Sequence, residues 1–338
     1  MIHLKDTVFL FLAAASISIA GCGKDSDLYD VEIPEYPADR DWTYVRTDTP
    51  KSRYATEVFE YTPAPGQYIN DTRTGGMPAG MNTPDEAALW AKNRLEKNLF
   101  VSLGAFGGYI TVGFDHEVIN SRGDYDFAIF GNAFLSAMGS SNEPGTVWVM
   151  EDSNCNGFPD DIWYELRGSE YYDSTTVHGY SVTYFRPSAP GQPVEWRDSF
   201  GETGSIAYLK AFHNQDYYYP AWIKEDSYTL TGTRLAPRTH CDPETGFWVN
   251  EPFPWGYADN MGEDNTGLDE MPQANRFRIS DAVDSDGNPV YLRSVMFVKV
   301  QTAVLAQAGP LGELSTEVLG FYDLMTEPDD NAVPMIHD

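Results

Sequence analysis

Oxygen-bearing side chains able to hold an ion are densest in the run Asp152-Ser153-Asn154-Cys155-Asn156-Gly157-Phe158-Pro159-Asp160-Asp161. Oxygen ligands at alternate positions, followed by glycine at the sixth, let a backbone wrap around a hard cation. Asp152, Asn154, Asn156 and Asp160 fall at positions one, three, five and nine, with Asp161 beside them. Position twelve is Trp163 rather than a bidentate glutamate, so Asp161 or Glu165 would have to supply the missing acid. The expected ion is calcium in a structural role, and the alternative is an Asx-rich hairpin turn with no ion. Asp284-Ser285-Asp286-Gly287-Asn288 looks similar but lacks a later acid at suitable spacing, so an ordinary turn is expected there.

Aromatic side chains form the second candidate. Tyr217-Tyr218-Tyr219-Pro220-Ala221-Trp222, Phe247-Trp248 and Phe253-Pro254-Trp255-Gly256-Tyr257 sit in or beside long irregular segments, with Asn214, Gln215, Asn250 and Asn260 nearby. Rings next to proline and glycine make rigid platforms for a flat or amphipathic ligand, and the amides supply hydrogen bonds. The expected ligand contacts are Asn214, Tyr218, Trp222, Trp248, Trp255, Tyr257 and Asn260. The alternative is that these rings plug the ends of a folded core. Catalytic patterns are missing: there is no HExxH, GxSxG or phosphate loop, and the histidines stand singly. An acid pair such as Asp124 and Asp126 carries little weight in a chain with 51 acids, and no enzymatic activity is expected.

The elements that must position these residues are mostly strands. Tyr109 to Phe114, Tyr125 to Phe130, Thr146 to Met150 and His178 to Phe185 are rich in β-branched and aromatic residues between glycine and acidic breaks. Glu57 to Tyr61, Val194 to Arg197, Tyr228 to Leu230, Phe247 to Val249, Asn275 to Ser280, Val290 to Leu292 and Val295 to Val304 read the same way. Frequent turns between short strands predict a mainly β chain folded as an antiparallel, jelly-roll-like β-sandwich with long irregular loops. One short helix is specified. Thr83-Pro84-Asp85-Glu86 is a capping box with proline in the first turn, followed by Ala88, Ala91, Leu95 and Leu99 at helical spacing.

The N-terminus sets the compartment. Lys5 and the apolar run from Val8 to Ala20 read as a signal peptide, and Ile19-Ala20-Gly21-Cys22 fits the bacterial lipobox that lipidates Cys22. The predicted organisation is a signal peptide over 1–21, a lipidated tether over 22–52, one ligand-binding domain over 53–327 and a tail over 328–338. A net charge of −29 argues against nucleic acid, whose phosphates need a basic footprint. Cys155 and Cys241 are the cysteines left after Cys22, and a bridge between them is one possibility outside the cell.

Several segments also carry a resemblance. Phe106-Gly107-Gly108-Tyr109-Ile110, Gly113-Phe114-Asp115, Gly131-Asn132-Ala133-Phe134, Glu143-Pro144-Gly145, the run from Asp152 to Leu166 and the tail GELSTEVLGFYDL from Gly312 resemble a family of Bacteroidetes cell-surface lipoproteins. So does VFEYTPAPGQYIN from Val58. Some members of that family lie in vitamin B12 (cobamide) uptake loci. The resemblance implies a protein anchored by lipid on the outer membrane and exposed at the cell surface. It further implies non-covalent binding of a cobamide for delivery to an outer-membrane transporter of the TonB-dependent kind. The competing expectations are a glycan-binding module of a sugar-uptake system and a structural or adhesive surface protein.

Overall fold

A computed structural model describes residues 52–326 apart from 74–75, 79, 137–138, 214 and 266–273. The signal peptide, Cys22 and the tether lie outside the described residues, as does Asn214. Within them run β1 (Glu57–Thr62), α1 (Pro84–Leu95), β2 (Val101–Ser102), β3 (Tyr109–Ile119), β4 (Phe127–Phe130), β5 (Phe134–Ser136) and β6 (Gly139–Ser141). Then come β7 (Gly145–Met150), β8 (Tyr164–Leu166), β9 (Val177–Phe185), β10 (Val194–Asp198), β11 (Thr203–Ile206), β12 (Ser227–Arg234) and β13 (Thr239–Cys241). The chain closes with β14 (Trp248–Asn250), β15 (Ala274–Phe277), β16 (Ala282–Val283), β17 (Ser294–Thr302), β18 (Glu317–Val318) and β19 (Gly320–Asp323).

The fold is mainly β and its ladders are antiparallel, save for the single parallel pairing of β6 with β14 among the described residues. A six-stranded sheet has the order β1-β3-β17-β7-β8-β16, and smaller sheets are β11-β10-β9-β12, β13-β14-β6-β5, β15-β4-β19 and β18-β2. Their arrangement reads as four propeller-like blades rather than two stacked layers, which corrects the expected sandwich. Strand alternation speaks for sheets but not for how they stack, because the period of two comes from the pleat of each strand and not from its neighbours.

Seven of the nine residues of β17 are buried, so both of its faces are largely covered. Val298 and Val300 enter the main core beside Ile110, Val112, Val147 and Val149, while Lys299 between them stays partly exposed. A second apolar cluster gathers Phe106, Tyr180, Val182, Tyr184, Tyr218, Tyr219 and Leu230, and a third gathers Leu235, Phe253, Tyr257 and Leu314. The helix starts as its capping box requires: Glu86 N–H donates to the Thr83 hydroxyl at 3.2 Å, and Thr83 N–H donates to the Glu86 carboxylate at 3.1 Å. Ala87, Ala88 and Ala91 bury one face of it, and Lys92 ties it to Glu57 of β1 at 2.8 Å. Leu99 lies beyond the helix and is exposed. The strand expected at residues 290–292 is not formed, although Val290 N–H donates to the Ala282 carbonyl at 2.9 Å; just before it Asp284 accepts from Asp286 N–H and Asn288 N–H in the ordinary turn expected at that motif. Cys155 and Cys241 are both free and exposed, so the bridge does not form.

Candidate functional site

The loop between β7 and β8 gathers the predicted calcium ligands, but they satisfy one another. Asp152 accepts from Asn156 N–H at 3.0 Å and Gly157 N–H at 2.9 Å, and Asp161 accepts from Ser153 N–H at 3.0 Å. The side-chain amides of Asn154 and Asn156 donate to Asp160 at 2.9 and 3.0 Å. These bonds hold the Asp160 carboxylate below its ordinary range. Cys155 and Gly157 take positive φ of 58° and 76°, which glycine adopts freely. This is an exposed Asx-rich turn with its oxygens drawn together. Calcium binding there would require both amides to turn their carbonyl oxygens inward.

Four of the seven expected ligand contacts are sealed in the interior. Tyr218 is fully buried, its hydroxyl accepting from Leu209 N–H and donating to the carbonyl of His213. Trp222 stacks on Tyr61 at 5.8 Å in the main core. Tyr257 packs against Gly168 and accepts from Glu170 N–H at 3.1 Å. Asn260 pairs with the Phe253 backbone through both its oxygen and its amide, at 2.8 and 2.9 Å. These residues plug the core instead of forming a platform, because long loops here are buried pieces with their own polar groups to satisfy. Trp248 and Trp255 stay partly exposed, Trp248 with its ring against Gly309. Asp126 likewise serves the fold, accepting from Ser121 and from Ile279 N–H.

The arrangement richest in chemistry was not apparent from local spacing. Glu143, Asp259 and Glu317 each bring a carboxylate oxygen within 4.8 Å of the others. Glu143 comes from the turn before β7, Asp259 from the irregular segment after β14, and Glu317 from β18. Asp259 and Glu317 are buried, while Glu143 is only partly so. Three backbone amides fix Asp259: Asn132 and Ala133 donate to Oδ1 at 2.7 and 2.8 Å, and Glu317 donates to Oδ2 at 2.9 Å. A side chain at Gly131 would press on Asp259 Oδ1, so the glycine makes that approach possible. The Ser102 hydroxyl donates to Glu317 Oε1 at 2.9 Å and lies 2.6 Å from Ser315 Oγ. Glu313 is buried close by, accepting from Gln67 N–H at 2.6 Å with Oε2 unpartnered.

Burial dominates the electrostatics, with mutual repulsion added. Desolvation and then the Asp259 charge push Glu143 up to about 8. Desolvation also takes Glu313 to about 8. Burial raises Asp259 and Glu317 well above the ordinary range, with the Glu317 charge adding to the first and the Glu143 charge to the second. Like charges this close in a poorly hydrated interior do not all ionise unless something positive joins them. The donors are all oxygen, which suits a hard divalent cation; without one, the same geometry retains protons at neutral pH.

A comparison with family models and with curated proteins finds no match to this chain. Four of the seven segments carrying the resemblance supply residues in or beside the acid cluster. Glu143 belongs to Glu143-Pro144-Gly145, and Glu313, Ser315 and Glu317 belong to the tail from Gly312. Asn132 and Ala133 belong to Gly131-Asn132-Ala133-Phe134, and Gln67 to the run from Val58. Asp259 lies outside all of these motifs. A buried acid that accepts backbone amides from a distant glycine turn leaves no periodic mark in its own segment.

Proposed function

We propose that this chain is a lipid-anchored protein of the outer-membrane surface that binds a soluble cargo by contact alone and hands it to a TonB-dependent transporter. The cargo is the cobamide that the resemblance implies, and the anchor is the lipidated Cys22. One observation carries the reading: four of the seven motifs, from the run at Val58 to the tail at Gly312, supply residues in or beside a single carboxylate cluster, as parts of one shared core would. The reading includes no bond-breaking step. A structural cation, calcium in kind, accompanies it at the Asp152 loop. Of the aromatic contacts, Trp248 and Trp255 remain available for the corrin edge, and Phe247 beside Trp248 is exposed.

The test is to mix the chain lacking its lipid anchor with cyanocobalamin and desalt it. Red colour should travel with the protein in about equimolar amount. Colourless protein that lights up a glycan array would replace the cobamide with a sugar and the uptake system with a glycan one.

A further inference from the structure

One face of the six-stranded sheet carries an amine, that of Lys299, which makes no ion pair among the described residues. Strand register sets Glu60, Thr111, Lys299, Trp148 and Glu165 side by side across β1, β3, β17, β7 and β8. Directly paired residues point to the same face, so this row forms one surface. Lys299 Nζ stands 4.8 Å from the ring centre of Trp163, 4.9 Å from that of Trp148 and 6.0 Å from that of Tyr109. All four side chains are partly exposed.

The two carboxylates in the row are a further strand away on either side, and both are engaged. Glu60 accepts from the Tyr109 hydroxyl and from Thr62 Oγ1. Glu165 is buried and accepts from Thr233 Oγ1 at 2.7 Å. Among the described residues Lys299 therefore has ring contacts but no ion pair and no hydrogen bond. The indole Nε1–H of Trp148 is also buried without an acceptor. Desolvation pushes the lysine down to about 8, against the opposing pull of the more distant Glu60 and Glu165 charges. Ring faces offset part of the cost of a poorly hydrated ammonium, yet they leave its donors unused. In a chain of net charge −29, where acids outnumber bases by 51 to 22, an unpaired amine on a ring-walled face is a position held for something else.

We propose that this face is a ligand site in which Lys299 takes the oxyanion, carboxylate or phosphate, of a small planar molecule whose body lies against Trp148 and Trp163. The ring faces supply area for a flat body, and the ammonium supplies direction. The site does not depend on the cobamide reading, since its probes differ from that ligand and its residues are none of those named above for the cargo.

The experiment is calorimetric titration of the soluble chain with 2-naphthoate, 2-naphthyl phosphate and the neutral 2-naphthamide. The generic field of this acidic chain repels anions, so saturable anion binding reports the local charge. At least one of the two anions should bind one per chain and about tenfold or more tighter than the amide, and the tighter of the two names the oxyanion. Lys299→Met should remove that preference while Lys299→Arg keeps it. Lys299→Met should also leave the melting temperature unchanged or higher, because it deletes a poorly hydrated amine that makes no ion pair. Equal binding of anion and amide, preference surviving in Lys299→Met, or no saturable binding of either anion would overturn the proposal. A lowered melting temperature of Lys299→Met together with absent binding would mark the lysine as filler packed between rings.

Discussion

Two oxygen-rich regions of this molecule have nearly the same donors and opposite physics. The Asp152 loop gathers its carboxylates within ten consecutive residues at the surface, where water and neighbouring amides satisfy them. The cluster of Glu143, Asp259 and Glu317 draws its oxygens from three distant segments into the interior, where few donors are left. Exposure lets the first remain charged at little cost. Burial forces the second to hold protons or recruit a cation. Charge density alone therefore says little about an acid site, and desolvation decides what it can do.

The largest test of this contrast is Asp259→Ala. It strands the buried amides of Ala133 and Glu317, each costing about 1–3 kcal/mol, and the part-buried amide of Asn132, so chemical denaturation should report a loss of about 3–5 kcal/mol. Loss below about 1 kcal/mol would mean that the amides find other partners.

Next in size is the dependence on pH, measured with a chelator present. Glu143 and Glu313 are raised in the folded chain from an ordinary 4.5 to about 8. The unfolded chain therefore releases these protons first, and stability falls as pH rises through that window, at roughly 1–2 kcal/mol per unit and group. It should be fully retained below about 4.5 and lost above about 8 as far as these two groups are concerned. A divalent cation added at pH 8 should restore stability if it enters the cluster, and unchanged melting across the window would show the carboxylates to be better hydrated than the geometry implies.

Glu143→Gln sharpens the same point with a smaller effect. Removing one repelling charge should stabilise the chelated protein at pH 8 by about 1–3 kcal/mol and should abolish any gain from added cation. The smallest effect belongs to Asp152→Ala. It deletes one exposed and one part-buried hydrogen bond, so about 1 kcal/mol is expected in chelator, read from the same unfolding curves. If calcium raises the melting temperature of the parent but not of Asp152→Ala, the surface loop holds the ion; if only Glu143→Gln loses the response, the buried cluster does.

Much of the local structure was legible from the chain. β1, β3, β7, β9, β10 and β17 overlap segments whose alternation predicted them, and Thr83 to Glu86 starts the helix as the capping pattern required. Short strands such as β5, β6, β13 and β18 were not legible, since two or three residues cannot show a period. The aromatic loops were misjudged for a related reason. Tyr218, Trp222 and Tyr257 have the same neighbours in sequence whether they face solvent or core, and only packing distinguishes the two.

Patterns spanning a few residues settle what a few residues can settle alone: turns, caps, strand faces, and an exposed loop that satisfies its own oxygens. Bringing Glu143, Asp259 and Glu317 together, or leaving Lys299 among three rings without an anion, depends on strand order and register across the whole chain. Those juxtapositions become energetically important only once tertiary packing has removed the water.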